Sequence, residues 1–357
     1  MTNFLETMRK KYKHSIFAVV YRFFRYSFVD TVRNRLFYTL VSGRIKKALY
    51  YPFKSIIIKV QKRPKAIIID TVSVCNLRCP MCSVPPDISR KSTESKYMNI
   101  DKYKKIIDNI DGYVTDLTLV YSGEPLLHPK FIDVVRYPAN TYYITTISNA
   151  TVFKKGVLDA ILKYVDTIFF SYDGFSKESF EKYRIGADFD EVTRNIENLL
   201  TERKKYRRGI PIVILTWLVN SYNEHEVDKA RLYWLDKGVD KFFEKPINLN
   251  IHRRDDDKKE SDFEHWLPKE NAITLYEQEI GGNLAFVDKE YTCNIWSTPV
   301  IRGDGEILLC CHDLSNSVKI GNVGDKIFSD IWEDKDYRKI QAIAKKRGFD
   351  ICKVCGK

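Results

Sequence analysis

Thr71-Val-Ser-Val-Cys-Asn-Leu-Arg-Cys-Pro-Met-Cys-Ser-Val-Pro-Pro86 is the stretch on which the reading of this chain turns. Its thiols, Cys75, Cys79 and Cys82, are spaced C-x3-C-x2-C, and the apolar Met81 precedes the last of them. Three thiolates on one short loop can ligate three irons of a four-iron, four-sulfur cube and leave the fourth iron without a protein ligand. An open coordination position suits a site that binds and acts, whereas a closed four-ligand site is usually structural. The competing reading is a zinc loop with a fourth ligand from elsewhere. Zinc motifs generally come as C-x2-C pairs, which the three-residue gap fits badly. Just upstream, Ala66-Ile-Ile-Ile-Asp70 is a β-branched run of the kind that forms a buried strand. The cysteines thus follow the C-terminal end of a strand, where α/β barrels carry their chemistry.

In that setting the stretch resembles the hallmark of the radical S-adenosylmethionine (SAM) superfamily, CxxxCxxC after the first strand of a partial barrel. The resemblance implies that the unique iron chelates the amino and carboxylate groups of SAM. It further implies that one electron, from a donor such as flavodoxin or ferredoxin, cleaves a carbon-sulfur bond. The resulting 5'-deoxyadenosyl radical then takes a hydrogen atom from substrate.

From residue 64 to about 247 strand-like and helix-like segments alternate, the mark of a parallel α/β architecture. The pattern predicts strands near 66–73, 115–121, 142–147, 166–172, 210–218 and 240–246. Helices are predicted over 100–110, 130–135, 154–164, 190–205 and 224–237. Six such repeats are too few to close an eight-stranded barrel. The expected fold is a partial (β/α)6 TIM-like barrel with a small C-terminal α+β iron-sulfur domain and a helical N-terminal extension.

The loops after these strands carry the next signals. Tyr121-Ser-Gly-Glu-Pro125 resembles the family's GGEP motif with Ser122 in place of the first glycine. By resemblance Gly123, Glu124 and Pro125 hold the methionyl ammonium of SAM, a task for which a carboxylate is suited. Read alone, the same residues are an ordinary turn. After the third strand the resemblance puts Ser148 and Asn149 near the SAM ribose. After the fourth it assigns Ser171, Asp173 and Arg184 to the SAM carboxylate end, where a guanidinium fork is apt; Asp173-Gly174 reads equally as a turn. Leu218 is expected to wall the adenine. The sixth strand runs into Glu244-Lys-Pro-Ile-Asn-Leu-Asn-Ile-His-Arg-Arg-Asp255, which makes Glu244, Lys245 and His252 candidates for proton transfer at the barrel mouth. Residues 255–262 are a dense charge run that reads as exposed linker.

Five of the eight cysteines lie near the C-terminus. Cys293, eleven residues, Gly305, four residues, Cys310 resembles the opening of SPASM domains, and Ile320-Gly-Asn-Val323, Ile331-Trp332 and Cys352-x2-Cys355 continue the likeness. Cys293, Cys310, Cys352 and Cys355 then hold one auxiliary 4Fe-4S cluster, as in the truncated form called a twitch domain. Cys311 is either the alternative to Cys310 or a free thiol beside the cluster. A structural four-cysteine zinc site is the competing reading.

The net charge of +12 is concentrated at one end. Residues 1–63 hold fifteen Lys and Arg against Glu6 and Asp30, which leaves +13 there and −1 over the rest of the chain. Residues 15–29 are apolar and aromatic, but Arg22 and Arg25 make them too short and too charged to span a bilayer, and no signal-peptide cleavage pattern follows. The segment suits either the surface of an anionic membrane or a helix packed on the barrel with a solvated basic face. Nucleic acid ranks behind both, since no recognisable module accompanies the charge. Cysteines bunched at two places and absent between 83 and 292 argue for metal sites in a reducing compartment. The expected location is therefore the cytoplasm, with a peripheral place on the inner face of the membrane as its extension.

The expected organisation is extension (1–63), barrel (64–247), linker and substrate-side segment (248–292) and auxiliary-cluster domain (293–357). The expected function is radical oxidation or remodelling of a C–H bond in a sugar or small polyol, lipid-linked if the N-terminus sits on a membrane. The alternatives are maturation of a ribosomal peptide or protein side chain and, from another class, a non-enzymatic zinc and polyanion binder.

Overall fold

The β-branched run at 66–69 and the strands that follow it build one sheet. The computed structural model describes residues 45–61, 63–64, 66–82, 96–206, 210–247, 264–269, 276–278, 284–286, 298–313 and 317–353. Strands β1 (Ala66–Ile69), β2 (Asp116–Thr118), β3 (Tyr143–Ser148), β4 (Thr167–Ser171), β5 (Ile212–Leu218) and β6 (Lys241–Lys245) pair in parallel and in that order. Parallel neighbours need crossovers, and helices supply them. These are α2 (Ile100–Asn109), α3 (Phe131–Arg136), α4 (Val157–Tyr164), α5 (Lys177–Tyr183) with α6 (Phe189–Tyr206), and α7 (Val227–Lys237). Each strand alternates faces, so one side of the sheet, including Ile67, Leu117, Ile144, Phe170 and Leu215, is buried in the helix-covered core. The other side, including Ile68, Thr118, Thr145, Ile147, Phe169 and Ile214, is only half-buried, because the sheet curls without closing. That second side is the lumen of a partial barrel.

The sheet does not end at β1. Strand β9 (Val300–Ile301) pairs in parallel with the free edge of β1, Ile68 opposite Val300, and antiparallel β10 (Glu306–Leu308) and β11 (Gly321–Asn322) extend it to nine strands. A short hairpin of β7 (Tyr276–Gln278) and β8 (Leu284–Phe286) stands outside this sheet. The C-terminal unit adds α8 (Phe328–Glu333), α9 (Lys335–Lys345) and α10 (Asp350–Lys353). Asn109 at the end of α2 clamps it by donating to the Val323 and Lys326 carbonyls and accepting from the Phe328 amide.

Helix α1 (Ile45–Val60) lies across the opposite end of the barrel. Its buried positions, Lys47, Tyr51, Lys54, Ser55 and Ile58, fall on one helical face. Lys47 forms a buried ion pair with Asp166 just before β4, and the same carboxylate accepts the Ile144 amide of β3 at 2.7 Å. Tyr51 donates to Asp116 at the start of β2 at 3.2 Å, and Lys54 pairs with Asp111 at 2.7 Å. Asp166 and Asp116 sit at the N-terminal ends of β4 and β2, and Asp111 lies in the turn between α2 and β2 at the same end of the barrel. The sequence left two readings of residues 1–63, a segment for an anionic membrane surface and a basic helix packed on the barrel with a solvated face; over Ile45–Val60 the helix packs, and two of its lysines sink into the barrel floor. Removing one member of a buried ion pair strands the other. Lys47→Ala is therefore expected to lower unfolding free energy by about 3–5 kcal/mol in urea titrations. A loss within the ~0.5 kcal/mol typical of surface positions would show that α1 does not seal the barrel.

Candidate functional site

The mouth of the barrel gathers the loops at the C-terminal ends of β1 to β5. The loop after β1 is held from three sides. Its Val74 carbonyl accepts the Glu124 amide at 2.9 Å, its Arg78 amide donates to Ile185 O at 3.0 Å, and Asn76 donates to Thr151 Oγ1 at 2.8 Å. A Cβ on Gly123 would stand 2.3 Å from Val72 O and 2.5 Å from Val74 O, so only glycine lets the two loops touch. Gly174 is constrained likewise, a Cβ there falling 2.4 Å from the Phe180 amide nitrogen of α5.

Cys75 and Cys82 are exposed and Cys79 is half-buried on this loop. Donors point at the sulfurs: the Leu77 amide and Asn149 Nδ2 to Cys75 Sγ at 3.4 and 3.7 Å, and Arg184 Nη1 to Cys79 Sγ at 3.5 Å. Burial pushes the Cys75 thiol up to about 11 and raises Cys79 too, against the lowering effect of Arg184. A coordinated metal would remove those protons outright.

Arg184 ends α5 and reaches Asp173 as well as Cys79. Burial disfavours its charge, but Asp173 and Cys79 more than offset that and hold it protonated. Its Nε is buried with no hydrogen-bond partner, a donor left for a ligand. Asp173 in turn accepts the Leu218 amide at 2.6 Å, so one carboxylate ties the ends of β4 and β5 to the arginine.

Glu124 caps the short 3-10 turn Pro125–Leu127 and is buried. Oε1 accepts from the Leu126 amide and Ser148 Oγ at 3.0 and 2.8 Å, and Oε2 accepts from the Asn149 amide at 2.7 Å. A carboxylate offers about four acceptor directions, so one remains for an ammonium. Burial pushes this group up to about 7 despite the three bonds. The three thiols, with donors on the sulfurs of Cys75 and Cys79, the unpaired Arg184 Nε and the open direction on Glu124 fit a cluster with an amino-acid ligand beside it.

Met81 and Leu218 meet in a second apolar cluster with Tyr183, Tyr222 and Trp266, against Cys79. Trp266 was missed in the sequence because it lies within the expected linker. In the structure the stretch 264–269 docks onto the loop after β5, with Ser221 N donating to Trp266 O at 3.0 Å and the Trp266 ring 5.5 Å from that of Tyr183. An aromatic-apolar triplet inside a charge-rich tract was the available signal. Ser171 lines the lumen opposite Thr216, and Lys245 lies on the same face opposite Leu218. Glu244 does not join them. It projects to the helix side, where Arg231 of α7 pairs with it, as the period of two requires of Lys245's neighbour. His252, Cys293 and Cys355 lie outside the described residues. Cys310, Cys311 and Cys352 are half-buried, and Arg347 donates twice to the Cys352 carbonyl, at 3.3 and 3.0 Å.

A mouth of this make-up defines an iron-sulfur enzyme on an unclosed barrel. Residues 69–232 match the model of the Radical SAM superfamily, and residues 293–356 match that of SPASM, an iron-sulfur cluster-binding domain. The chain thus carries a Radical SAM domain over residues 69–232 and a SPASM domain over residues 293–356; together these imply SAM, a 4Fe-4S cluster and an auxiliary cluster. It is similar to a "Tungsten-containing aldehyde ferredoxin oxidoreductase cofactor-modifying protein" of Pyrococcus furiosus, at 24% identity over 319 residues, 82% of this chain and 87% of that one. A GTP 3',8-cyclase of Desulforamulus reducens is 24% identical over 162 residues, 44% of this chain and 48% of that one. Solved structures of like fold include Streptococcus suis SuiB bound to precursor peptide SuiA (TM-score 0.57, 15% identity, 87% of this chain and 75% of that one). Another is anSMEcpe with bound AdoMet (TM-score 0.56, 18% identity, 82% and 87%).

Ser122, the departure from the family's glycine, has a partner. Its Oγ and amide donate to the Asp70 carboxylate at 2.8 and 3.2 Å, fastening β1 to the loop after β2. Burial pushes Asp70 up from 3.8 to about 6. With the folded value above the unfolded one, Asp70 favours the fold fully below 3.8, and that contribution is lost as pH rises through about 6. The hydroxyl helps chiefly the charged form. Ser122→Ala should therefore cost little below pH 3.8 and ~1.5–3 kcal/mol above about 6, read from urea unfolding at the two pH values. Equal losses would mean that Asp70 does not titrate across that window.

Proposed function

We propose that this chain oxidises or remodels a C–H bond of a sugar or other small polyol. When bound, the cluster and SAM supply one-electron cleavage and a 5'-deoxyadenosyl radical for hydrogen abstraction. The chain's own residues do the positioning. Glu124 and Arg184 bracket the two ends of an amino acid, Asp173 fixes the arginine, and Met81 with Leu218 offers an apolar wall. Cys293, Cys310, Cys352 and Cys355 would hold the auxiliary cluster in a single-cluster, twitch-like arrangement, ready to take the electron that a substrate radical gives up.

One observation carries the substrate class. Thr118, Thr145 and Thr167 stand in register across β2, β3 and β4 on the lumen face, and Ser171 and Thr216 repeat the pairing two levels nearer the mouth. Hydroxyls both donate and accept, which matches a ligand made of hydroxyls. The Pyrococcus relative, named for modifying a cofactor, agrees with a small-molecule substrate. A peptide is the second reading, favoured by β6, an edge strand with Lys241 and Phe243 exposed and open to strand addition.

The test is anaerobic turnover with reductant, SAM and perdeuterated sugars, polyols or peptides, with deuterium in 5'-deoxyadenosine read by mass spectrometry. Label arriving from a polyol is expected, and Thr118→Val/Thr145→Val should raise KM about tenfold with SAM cleavage intact, the effect of roughly one lost hydrogen bond. Label arriving only from peptide would refute the polyol reading.

A further inference from the structure

Helix α1 has a second face that the barrel does not use. Phe53, Ile56, Ile57 and Val60, spaced i, i+3, i+4 and i+7, are 72%, 52%, 49% and 75% exposed. Such a stripe on a helix normally turns inward. Here it cannot, because the opposite face is fastened to the strands through Lys47–Asp166, Tyr51–Asp116 and Lys54–Asp111. The apolar stripe therefore faces away from the barrel strands by construction.

Charge narrows what can cover it. The segment containing α1, residues 1–63, holds fifteen Lys and Arg against Glu6 and Asp30, and thirteen of those cations remain once Lys47 and Lys54 are set aside as paired with Asp166 and Asp111. A second copy of this chain would set one basic segment against another like it, and unchanged flotation of the fourfold variant below would mean that other residues of this chain cover the stripe. Nucleic acid would answer the charge and leave four large apolar side chains in water. An anionic bilayer interface answers both, since headgroups pair with the cations while the stripe enters the acyl boundary.

We infer that the floor of the barrel is a membrane-docking surface, with the Phe53, Ile56, Ile57, Val60 stripe of α1 resting in the interface of a bilayer rich in anionic lipid. No helix among the described residues is long and apolar enough to cross a membrane, so the contact is peripheral. The partners Asp166 and Asp116 are at the N-terminal ends of strands, whereas Cys75, Glu124 and Leu218 are at or just beyond the C-terminal ends of β1, β2 and β5. Docking thus turns the mouth toward water. A substrate enters from the aqueous side, which favours a soluble metabolite over a carbohydrate buried at its lipid anchor.

The test reads binding rather than turnover, so it stands apart from the substrate proposal. Full-length reconstituted protein is floated with phosphatidylserine-phosphatidylcholine vesicles and with phosphatidylcholine alone, at low and high salt. The expected result is salt-sensitive flotation with the anionic vesicles only. Combined Phe53→Ser, Ile56→Ser, Ile57→Ser and Val60→Ser should weaken it at least about tenfold with iron content and far-UV circular dichroism unchanged. Phe53→Trp provides a second readout that leaves the stripe apolar, and its emission should shift to the blue on adding anionic vesicles. Unchanged flotation of the fourfold variant, or an unshifted tryptophan on floated protein, would overturn the inference. So would a wild-type dimer that the fourfold variant converts to monomer.

Discussion

Backbone pairing on both edges of β1 is the constraint on which the rest of this molecule depends. On one side β1 meets β2 and begins the barrel; on the other it meets β9 and receives the C-terminal unit. Its own C-terminal end continues into the three-cysteine loop. A central parallel strand cannot slip without moving its whole side-chain set to the wrong face. The position of the thiols relative to both domains is therefore set by main-chain hydrogen bonds, before any side chain is considered. Asp70, one residue beyond the strand, repeats the theme by donating its amide to Ile301 and accepting from Ser122.

The mouth is assembled from carboxylates that each bind several loops together. Asp173 joins β4, β5 and Arg184; Glu124 joins the turn after β2 to the end of β3. Buried carboxylates are costly unless their acceptor directions are filled. Here Glu124 takes two amides and the Ser148 hydroxyl, and Asp173 takes the Leu218 amide and Arg184, which aligns the loops while leaving one direction on Glu124 and one nitrogen on Arg184. Preorganisation of that sort is the contribution a protein makes when a cofactor brings the reactivity.

Much of this was legible in the sequence, because strand and helix periods are local. The strand expected at 142–147 is found at Tyr143–Ser148, and the helix expected at 190–205 at Phe189–Tyr206. The clustering of Cys75, Glu124, Asn149 and Arg184 was legible through resemblance, since each follows a different strand. What was not legible was non-local. Nothing in Val300-Ile301 says that it pairs with Ile68, and nothing in Lys47 says that its charge is buried against Asp166. Glu244 and Lys245 look alike as candidates on paper, and only the face-to-face alternation of β6 separates them. Ser122 read as a missing glycine until Asp70 gave its hydroxyl a use.

The junction of β1 with β9 also bears on how the chain comes to be folded. It unites residue 68 with residue 300, among the most distant pairings in the sheet. Contacts of such long sequence separation form late, and domains synthesised first tend to fold first. A ribosome-bound chain can thus close α1 onto β2, β3 and β4 while the outer edge of β1 is still bare. The strand that leads into the cysteine loop acquires its last neighbour only when the auxiliary domain has emerged. The loop of Cys75, Cys79 and Cys82 is in this way held by a strand whose pairing is complete only once the C-terminal unit has docked.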